Sequence, residues 1–465
     1  MQMRIPAVGF FACTLAALTL QIVPASAAPF RMPTPSPPPT TFLAPADQVI
    51  AIKAGQLYDP VAGKLLNDQV VIIHGDRISD VGVNLPIPAG ARIIDLGRAT
   101  VMPGMIDAHV HVYRDGDSPA SHALSGLAAA QRDLNAGFTS LLDLDSGGGF
   151  GTVDLRDLIN SGLVQGPRMQ VVGQSLNNRN MSYVRDPETS RYYSGRTENK
   201  DVNGPWLARA AVREAKQHGV DYIKIYSTED FIAETHLWRA DGTFQVFPSL
   251  TNEEAEAVVG EAHRLGLKVA CHSYLGTPND PCMVAGVDSP QHLLQLDAAG
   301  VRMLQEKHLQ YVPTIDDILV LEKSDLDETG GRNSRLKLLE AAFKRAHAAG
   351  IEMAFGSGAT GTEIPHGKQA DQFKYYLQWG MTPAEALRTT FIAAPRVMNY
   401  NFDRQVGTID KGKYADIIAV AGNPLEDITE MERVKFVMKG GMVVRDEQSA
   451  AAVRAYEMEH GGDSH

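Results

Sequence analysis

Two hydrophobic rhythms divide the chain. Between Gln48 and Thr100, short apolar runs at 49–53, 69–73, 77–81 and 92–95 alternate with polar positions and are broken by Gly, Asp and Asn turns. Period-two alternation of that length predicts strands, and the tight turns predict a small antiparallel sheet. After Met105 apolar strands are separated by helical stretches, which is the sign of a parallel α/β sheet. Strands are predicted at 105–111, 139–144, 169–173, 222–226 and 268–272, in a short run ending at His292, and at 310–313 and 352–357. Helices are predicted at 120–135, 153–160, 205–218, 252–265, 294–307, 332–349 and 369–379, with one more at 383–394. That order predicts an α/β fold, a (β/α)8 TIM-like barrel over 103–399. Beyond it short strands return at 407–410, 415–420, 434–438 and 442–445. These are expected to complete the sheet begun upstream, so that one small β-sandwich is built from 46–102 and 400–450, with a loose tail at 451–465.

The N-terminus adds a destination. Arg4, the apolar run 7–20 and Pro24-Ala-Ser-Ala27 read as an export signal cleaved after Ala27. The run is too short, and too soon followed by prolines, to span a bilayer; an N-terminal anchor that stays is the alternative. Residues 28–45 are proline-rich and read as a tether. No stable membrane anchor is then expected after cleavage, and the mature protein is periplasmic or secreted. A formal charge of -12 leaves no basic stripe for phosphate backbones, which argues against nucleic acid as a partner. Cys13 would leave with the signal. Cys271 and Cys282 remain, and in an oxidising compartment they either pair or stay reduced and buried, since sequence alone does not fix their distance.

Candidate chemistry collects at strand ends. Pro103 and Gly104 turn the chain into the first barrel strand, where strict alternation puts Met105, Asp107, His109 and His111 on one face. Two imidazoles at i and i+2 stand roughly 7 Å apart along a strand, a chelating arrangement, although the short motif by itself also fits two unrelated edge histidines. Barrel enzymes carry their working groups at the C-terminal ends of the strands. His109 and His111 close strand 1, Lys224 sits in strand 4, His272 closes strand 5 and His292 closes strand 6. Lys224 shares a face with Tyr222 and Tyr226, so it points into the barrel, where a bare ammonium is costly. Reaction with CO2 would make it an anionic carbamate able to bridge two metal ions; pairing with Asp143 or Asp221 is the alternative. Gly147-Gly-Gly-Phe-Gly151 lacks phosphate-loop spacing, and Ser357 lies in no nucleophile elbow. His122, His218, His263 and His308 fall in helical stretches and read as surface or packing residues.

Several segments carry a family likeness: Pro103-Gly-Met-Ile-Asp-Ala-His-Val-His111, Gly166-Pro-Arg168, Tyr222-Ile-Lys-Ile-Tyr226, Ala270-Cys-His272 and Ala285-Gly-Val-Asp-Ser-Pro-Gln-His292. In them the chain resembles the amidohydrolase superfamily. It is most similar to the binuclear branch of imidazolonepropionase-related and prolidase-like enzymes, which includes bacterial ochratoxin-hydrolysing amidohydrolases. The resemblance implies that His109 and His111 hold the more buried of two divalent metal ions, that His272 and His292 hold the second, and that carbamylated Lys224 bridges them. Zn2+ is the default for such imidazole-rich sites, with Mn2+ and Co2+ not excluded by ligand type. It also implies a small-molecule amide or peptide substrate; Tyr226 either binds a substrate carboxylate, as in prolidase-like relatives, or packs in the barrel, and His366, in the loop after strand 8, either faces the site or lies away from it.

One position departs from the family. Its eighth strand ends in a metal-binding, proton-accepting aspartate, where this chain has Gly358. A void of carboxylate size is expected there, with Asp316, Asp317, Glu363 or His366 as partial stand-ins. Restoring the carboxylate by Gly358→Asp is expected to raise kcat at least ~10-fold. The sequence therefore points to an exported binuclear amidohydrolase that cleaves an amide next to a carboxylated residue: a dipeptide in carboxypeptidase-like fashion, an N-acyl amino acid or an ochratoxin-like amide. A metal- and ligand-binding protein of impaired catalysis and a mononuclear deaminase are the alternatives, and oligomerisation is left open.

Overall fold

The computed structural model describes residues 41–449 apart from 114–117, 146–148, 178–182, 186–191, 195–199, 230–237, 240 and 362–363. The stretch read as an export signal, Cys13, most of the expected tether and the tail lie outside the described residues. Among the described residues no helix is long and apolar enough to cross a membrane.

Barrel strand 1 (Met105–Val110) pairs in parallel with strand 2 (Phe138–Asp143), and strand 2 with strand 3 (Arg168–Val171). Strand 4 (Tyr222–Tyr226) pairs in parallel with strand 5 (Lys268–Ser273), and strand 5 with strand 6 (Ser289–His292). The Asp221 N–H donates to the Val171 carbonyl at 2.9 Å and joins the two groups. The seventh and eighth positions are held by single parallel bridges, Gln291 with Val312 and Tyr311 with Met353. The circle closes where Ala108 N–H donates to Phe355 O at 2.9 Å, Gly358 N–H to His109 O at 2.7 Å and His111 N–H to Ala359 O at 2.8 Å. Strands 7 and 8 are therefore in place but irregular. Pro313 has no N–H to give a ladder, and Gly356 and Gly358 offer no side chain to pack.

Strand 4 keeps the predicted alternation. Tyr222 lies in the inner cluster with Ile106, Ala108, Leu142, Ala270, Val312 and Ala354, whereas Ile223 and Ile225 pack outward against the helices. Strand 1 does not keep it. Its register shifts on both sides of Asp107, and Met105 joins the outer cluster while Ile106 and Ala108 join the inner one. The single face expected for Met105, Asp107, His109 and His111 is interrupted by this irregularity.

The two flanks share one seven-stranded sheet. Its junction is the antiparallel pairing of Arg92–Pro103 with Ile417–Val420. The sheet is not wholly antiparallel as expected, because Val49–Asp59 runs parallel to Arg92–Pro103. No strand forms at 407–410, where Gly407 takes a φ of 87°. The outer edge of Arg77–Val83 meets the chain at 412–415 through Ile78 N–H to Lys413 O and Ala415 N–H to Asp76 O, both 2.9 Å. The sheet thus folds over on itself around Ile50, Ile52, Val71, Val101, Ile417 and Phe436.

An arginine fastens this sheet to the barrel. Arg168 of strand 3 donates from Nε to Asp416 Oδ2 at 2.7 Å and from Nη2 to Oδ1 at 3.1 Å. Its guanidinium lies 3.3 Å from the centre of the Tyr414 ring, and that of Arg77 lies 3.4 Å from the same centre, so the two must cover opposite faces. Cys271 and Cys282 are disulfide-bonded with a Cα separation of 6.2 Å, tying strand 5 to the short helix Pro281–Ala285. The alternative of two reduced thiols is set aside. At the end of the tether, Phe42 N–H donates to Gly162 O at 2.9 Å, so residues 41–45 already lie against the barrel.

Removing Asp416 would leave the half-buried Arg168 guanidinium without its carboxylate. Asp416→Ala is expected to lower stability by about 1–3 kcal/mol, read as an earlier urea transition, and an unchanged transition would show that the pair does not hold the sheet.

Candidate metal centre and active site

The paired strands end level with one another. Tyr226 stands opposite His272, His272 opposite Gln291, and Ser273 opposite His292. This register brings His109, His111, Lys224, His272 and His292 to one end of the barrel interior, where none is more than 5% exposed. His109 and His111 place their Nε2 atoms 3.1 Å apart. Ring centres then run 5.4 Å from His109 to His292 and 4.4 Å from His292 to His272. Lys224 lies close enough for its charge to reach both His109 and His292, with its Nζ 5.2 Å from the Tyr226 ring centre.

Both of those histidines are prepared to be neutral. Burial, then the Lys224 ammonium and the neighbouring imidazoles, hold His109 well below the usual histidine range; burial, then His272 and Lys224, do the same for His292. Their tautomers are set from behind. His109 Nδ1 lies 2.8 Å from Gln291 Oε1, and the Gln291 amide is oriented by donating from Nε2 to the Ser289 carbonyl and hydroxyl at 3.1 and 2.6 Å. His292 Nδ1 meets Thr314 Oγ1, which spends its own proton on the Pro313 carbonyl at 2.7 Å. Each Nδ1 therefore carries the hydrogen and each Nε2 presents a lone pair. His292 Nε2 is buried with no hydrogen-bond partner. His292 and Leu293 also hold φ values of 68° and 48°, a strained backbone of the kind found at functional sites.

The profile of the amidohydrolase family matches residues 100–444. The chain belongs to the amidohydrolase family. The chain is 27% identical over 442 residues to ochratoxinase of Aspergillus niger, spanning 86% of this chain and 87% of that protein. To imidazolonepropionase of Geobacillus sp. (strain WCH70) it is 24% identical over 438 residues, 87% of this chain and 97% of that one. A crystal structure of a Xaa-Pro dipeptidase with methionine bound in the active site superposes with a TM-score of 0.73 at 30% identity, covering 86% of this chain and all of that one.

The donor set of this amidohydrolase suits divalent metal. Two nitrogens on one tetrahedral zinc stand about 3.3 Å apart, close to the 3.1 Å between His109 and His111, and neutral imidazole is the form that ligates. As the side chains stand, no three His, Cys, Asp or Glu groups among the described residues are disposed to hold a metal ion. The fit rests on that nitrogen pair and on the bare Nε2 of His292.

Around the nitrogen donors lie carboxyls with work of their own. Asp107 is pushed up to about 7 by burial, against hydrogen bonds from Ser357 and the His109 N–H. Ser357 donates its hydroxyl to Asp107 at 2.6 Å and accepts from Ala359 N–H at 3.0 Å, so it anchors the eighth strand. Burial also pushes Asp143 up to about 8. Tyr226 donates its hydroxyl to Asp145 at 3.1 Å while its ring stands 4.9 Å from that of His272. His366 pairs with Asp133 at 2.8 Å; burial works against its charged form, but that carboxylate and the His111 backbone outweigh it and hold the ring above its ordinary value. Asp221, one of the alternative partners for Lys224, is taken by Arg156 at 2.6 Å. Glu363 lies outside the described residues.

The space expected at Gly358 is already filled. A Cβ on this residue would stand 2.6 Å from Asp317 Cβ and 3.1 Å from its Cγ, and φ is +80°. Asp317 arrives on a short helix, Ile315–Leu319, that the periodicity did not reveal, although Pro313 followed by Asp316 and Asp317 is a helix-start signal. Also unforeseen were Gln291 and Thr314, and a row of aromatics beside the site. Tyr274 lies 4.8 Å from His272 and 5.9 Å from Phe244, which lies 4.8 Å from Trp238. Of the helical histidines, His218 stacks on Phe150 at 3.9 Å and His263 pairs with Asp288 at 2.8 Å, both away from the centre.

Replacing Gln291 by leucine removes the acceptor that fixes the His109 tautomer. Gln291→Leu is expected to weaken Zn2+ binding about 10–100-fold in competition with a chelator, without loss of the fold; undiminished affinity would show that His109 needs no such partner.

Proposed function

We propose that this chain is an exported, binuclear metal-dependent amidohydrolase that cleaves an amide bond adjoining a carboxylated residue. The observation that carries the reading is the meeting of His109, His111, Lys224, His272 and His292 in one buried barrel end. His109 and His111 would hold one metal ion, His272 and His292 the other, with a Lys224 carbamate between them and Zn2+ the expected metal. When bound, the metals supply Lewis acidity toward a carbonyl and lower the pKa of water.

The residues of the chain supply position and charge. Gln291 and Thr314 keep two Nε2 lone pairs directed inward, and burial keeps their imidazoles neutral around pH 7. The Tyr274 and Phe244 rings offer an apolar flank for the acyl or side-chain portion of a substrate. A relative that holds methionine in its active site supports a substrate with a free amino-acid carboxylate, and ochratoxinase supports a bulky amide. The Tyr226 hydroxyl is engaged with Asp145, so it reaches a substrate carboxylate only by leaving that partner. Export rests on the apolar run 7–20 and the small residues before Ala27. Gly358 favours a second reading, a metal- and ligand-binding protein of impaired turnover, and the measured rate separates the two.

The protein should carry close to two divalent ions per chain, and Lys224→Ala should lose at least one; equal loading of the two by elemental analysis would remove the bridging role. On a panel of N-acyl amino acids and dipeptides, converting the substrate carboxylate to its amide should abolish most of the rate. Equal turnover of acid and amide would overturn the specificity, and no hydrolysis of any member by the metal-loaded protein would favour the second reading.

A further inference from the structure

The histidines gather where the barrel strands end. Where they begin, at Arg168 of strand 3, lies a separate cavity of about 320 Å³ between the barrel, the flanking sheet and the chain at 42–46. Arg168, Lys439, His74 and Asp76 line its polar side, and Phe42 and Leu43 its apolar side.

Lys439 is the group that needs a partner. It ends the strand Phe436–Lys439 and is only 7% exposed. Among the described residues its ammonium makes neither a hydrogen bond nor an ion pair; it feels its neighbours only across space. The nearby carboxylates are engaged elsewhere. Asp416 accepts from Arg168 Nε at 2.7 Å, from Arg168 Nη2 at 3.1 Å and from the Gly440 N–H at 2.7 Å. Asp76, half exposed, lies 3.7 Å from Arg77. Burial, then the Arg168 guanidinium, push Lys439 down to about 8, and Asp416 and Asp76 pull it only part of the way back. The side chain is therefore charged at pH 7 in a place where an uncompensated charge is costly. Arg168 and Asp76, which feel that charge, both line the cavity, so the ammonium lies on the cavity side.

The walls are fixed rather than collapsed. Gly440, at a φ of +54°, brings its turn so close to Arg168 that a Cβ would stand 2.9 Å from Nη2. The opposite wall is pinned where Phe42 N–H donates to Gly162 O at 2.9 Å, yet Phe42 and Leu43 remain 36% and 42% exposed. One unpaired cation beside an apolar wall selects for an anion with an apolar body. Asp416 and Asp76 disfavour a dianion, and an inorganic ion would leave the apolar wall wet.

We propose that this cavity binds a small organic carboxylate, its head on Lys439 and its apolar body along Phe42 and Leu43. The charge-assisted hydrogen bond to the carboxylate supplies the partner that Lys439 lacks, and the volume is at the lower end for small-molecule pockets.

The test titrates 3-phenylpropionate, 3-phenylpropionamide and inorganic phosphate by calorimetry into the natural protein, Lys439→Met and Lys224→Ala at pH 7. Lys439→Met keeps an unbranched stem, and replacing a buried charge by an apolar group is close to neutral for folding, which a urea transition checks. Lys224→Ala alters the other end of the barrel and separates this cavity from the histidine cluster. The acid should bind the natural protein and Lys224→Ala alike, and Lys439→Met at least about ten-fold more weakly. The amide should bind the natural protein at least about ten-fold more weakly than the acid. Raising the pH to about 9.5 should weaken the acid in the natural protein as Lys439 loses its proton, a readout that needs no variant. Equal affinity of the natural protein and Lys439→Met would overturn the proposal, as would loss of binding in Lys224→Ala, an amide as tight as the acid, phosphate tighter than the acid, or no binding of the acid at all.

Discussion

Everything at the working end of this molecule depends on keeping buried bases uncharged. Five side chains able to carry positive charge are packed where water scarcely reaches, and a cluster of cations there would push the strands apart. Burial and mutual repulsion remove the charge from His109 and His292, and their second nitrogens are then held by Gln291 and Thr314. What would be a liability in an empty core becomes a set of lone pairs converging from different strands. The positive φ at His292 and Leu293 belongs to the same arrangement. It is backbone strain held in place by the Tyr311 hydroxyl, which donates to the His292 carbonyl at 2.8 Å.

Much of this was legible in the sequence because strand periodicity is local. Lys224 between Tyr222 and Tyr226 could be assigned to the barrel interior from two residues on either side, and the histidines announced themselves by closing apolar runs. Direction was not legible. The pattern of 49–53 and 92–95 says strand in both cases and nothing of the parallel pairing between them. Nor could alternation reveal its own interruption in strand 1 around Asp107, since the register there is set by the partner strand. The residues that orient the site were hidden for a different reason. Gln291 is 182 positions from the His109 it holds, and Asp317 is recognisable only once the chain has folded it against Gly358. A glycine that looked like an empty place is, in three dimensions, packed against the Asp317 side chain.

The way both flanks share one sheet bears on how the chain must be made. Arg92–Pro103 takes its antiparallel neighbour from Ile417–Val420, and Arg168 takes its counter-ion from Asp416. During synthesis from the N-terminus, the first four strands and then the whole barrel emerge while that edge has no partner and that arginine has no carboxylate. An unpaired apolar edge is a template for association with other chains, and contacts between such distant parts of the chain form late. The barrel therefore cannot reach its final state as a separate early unit, and the nascent protein needs protection until almost its last strand is available.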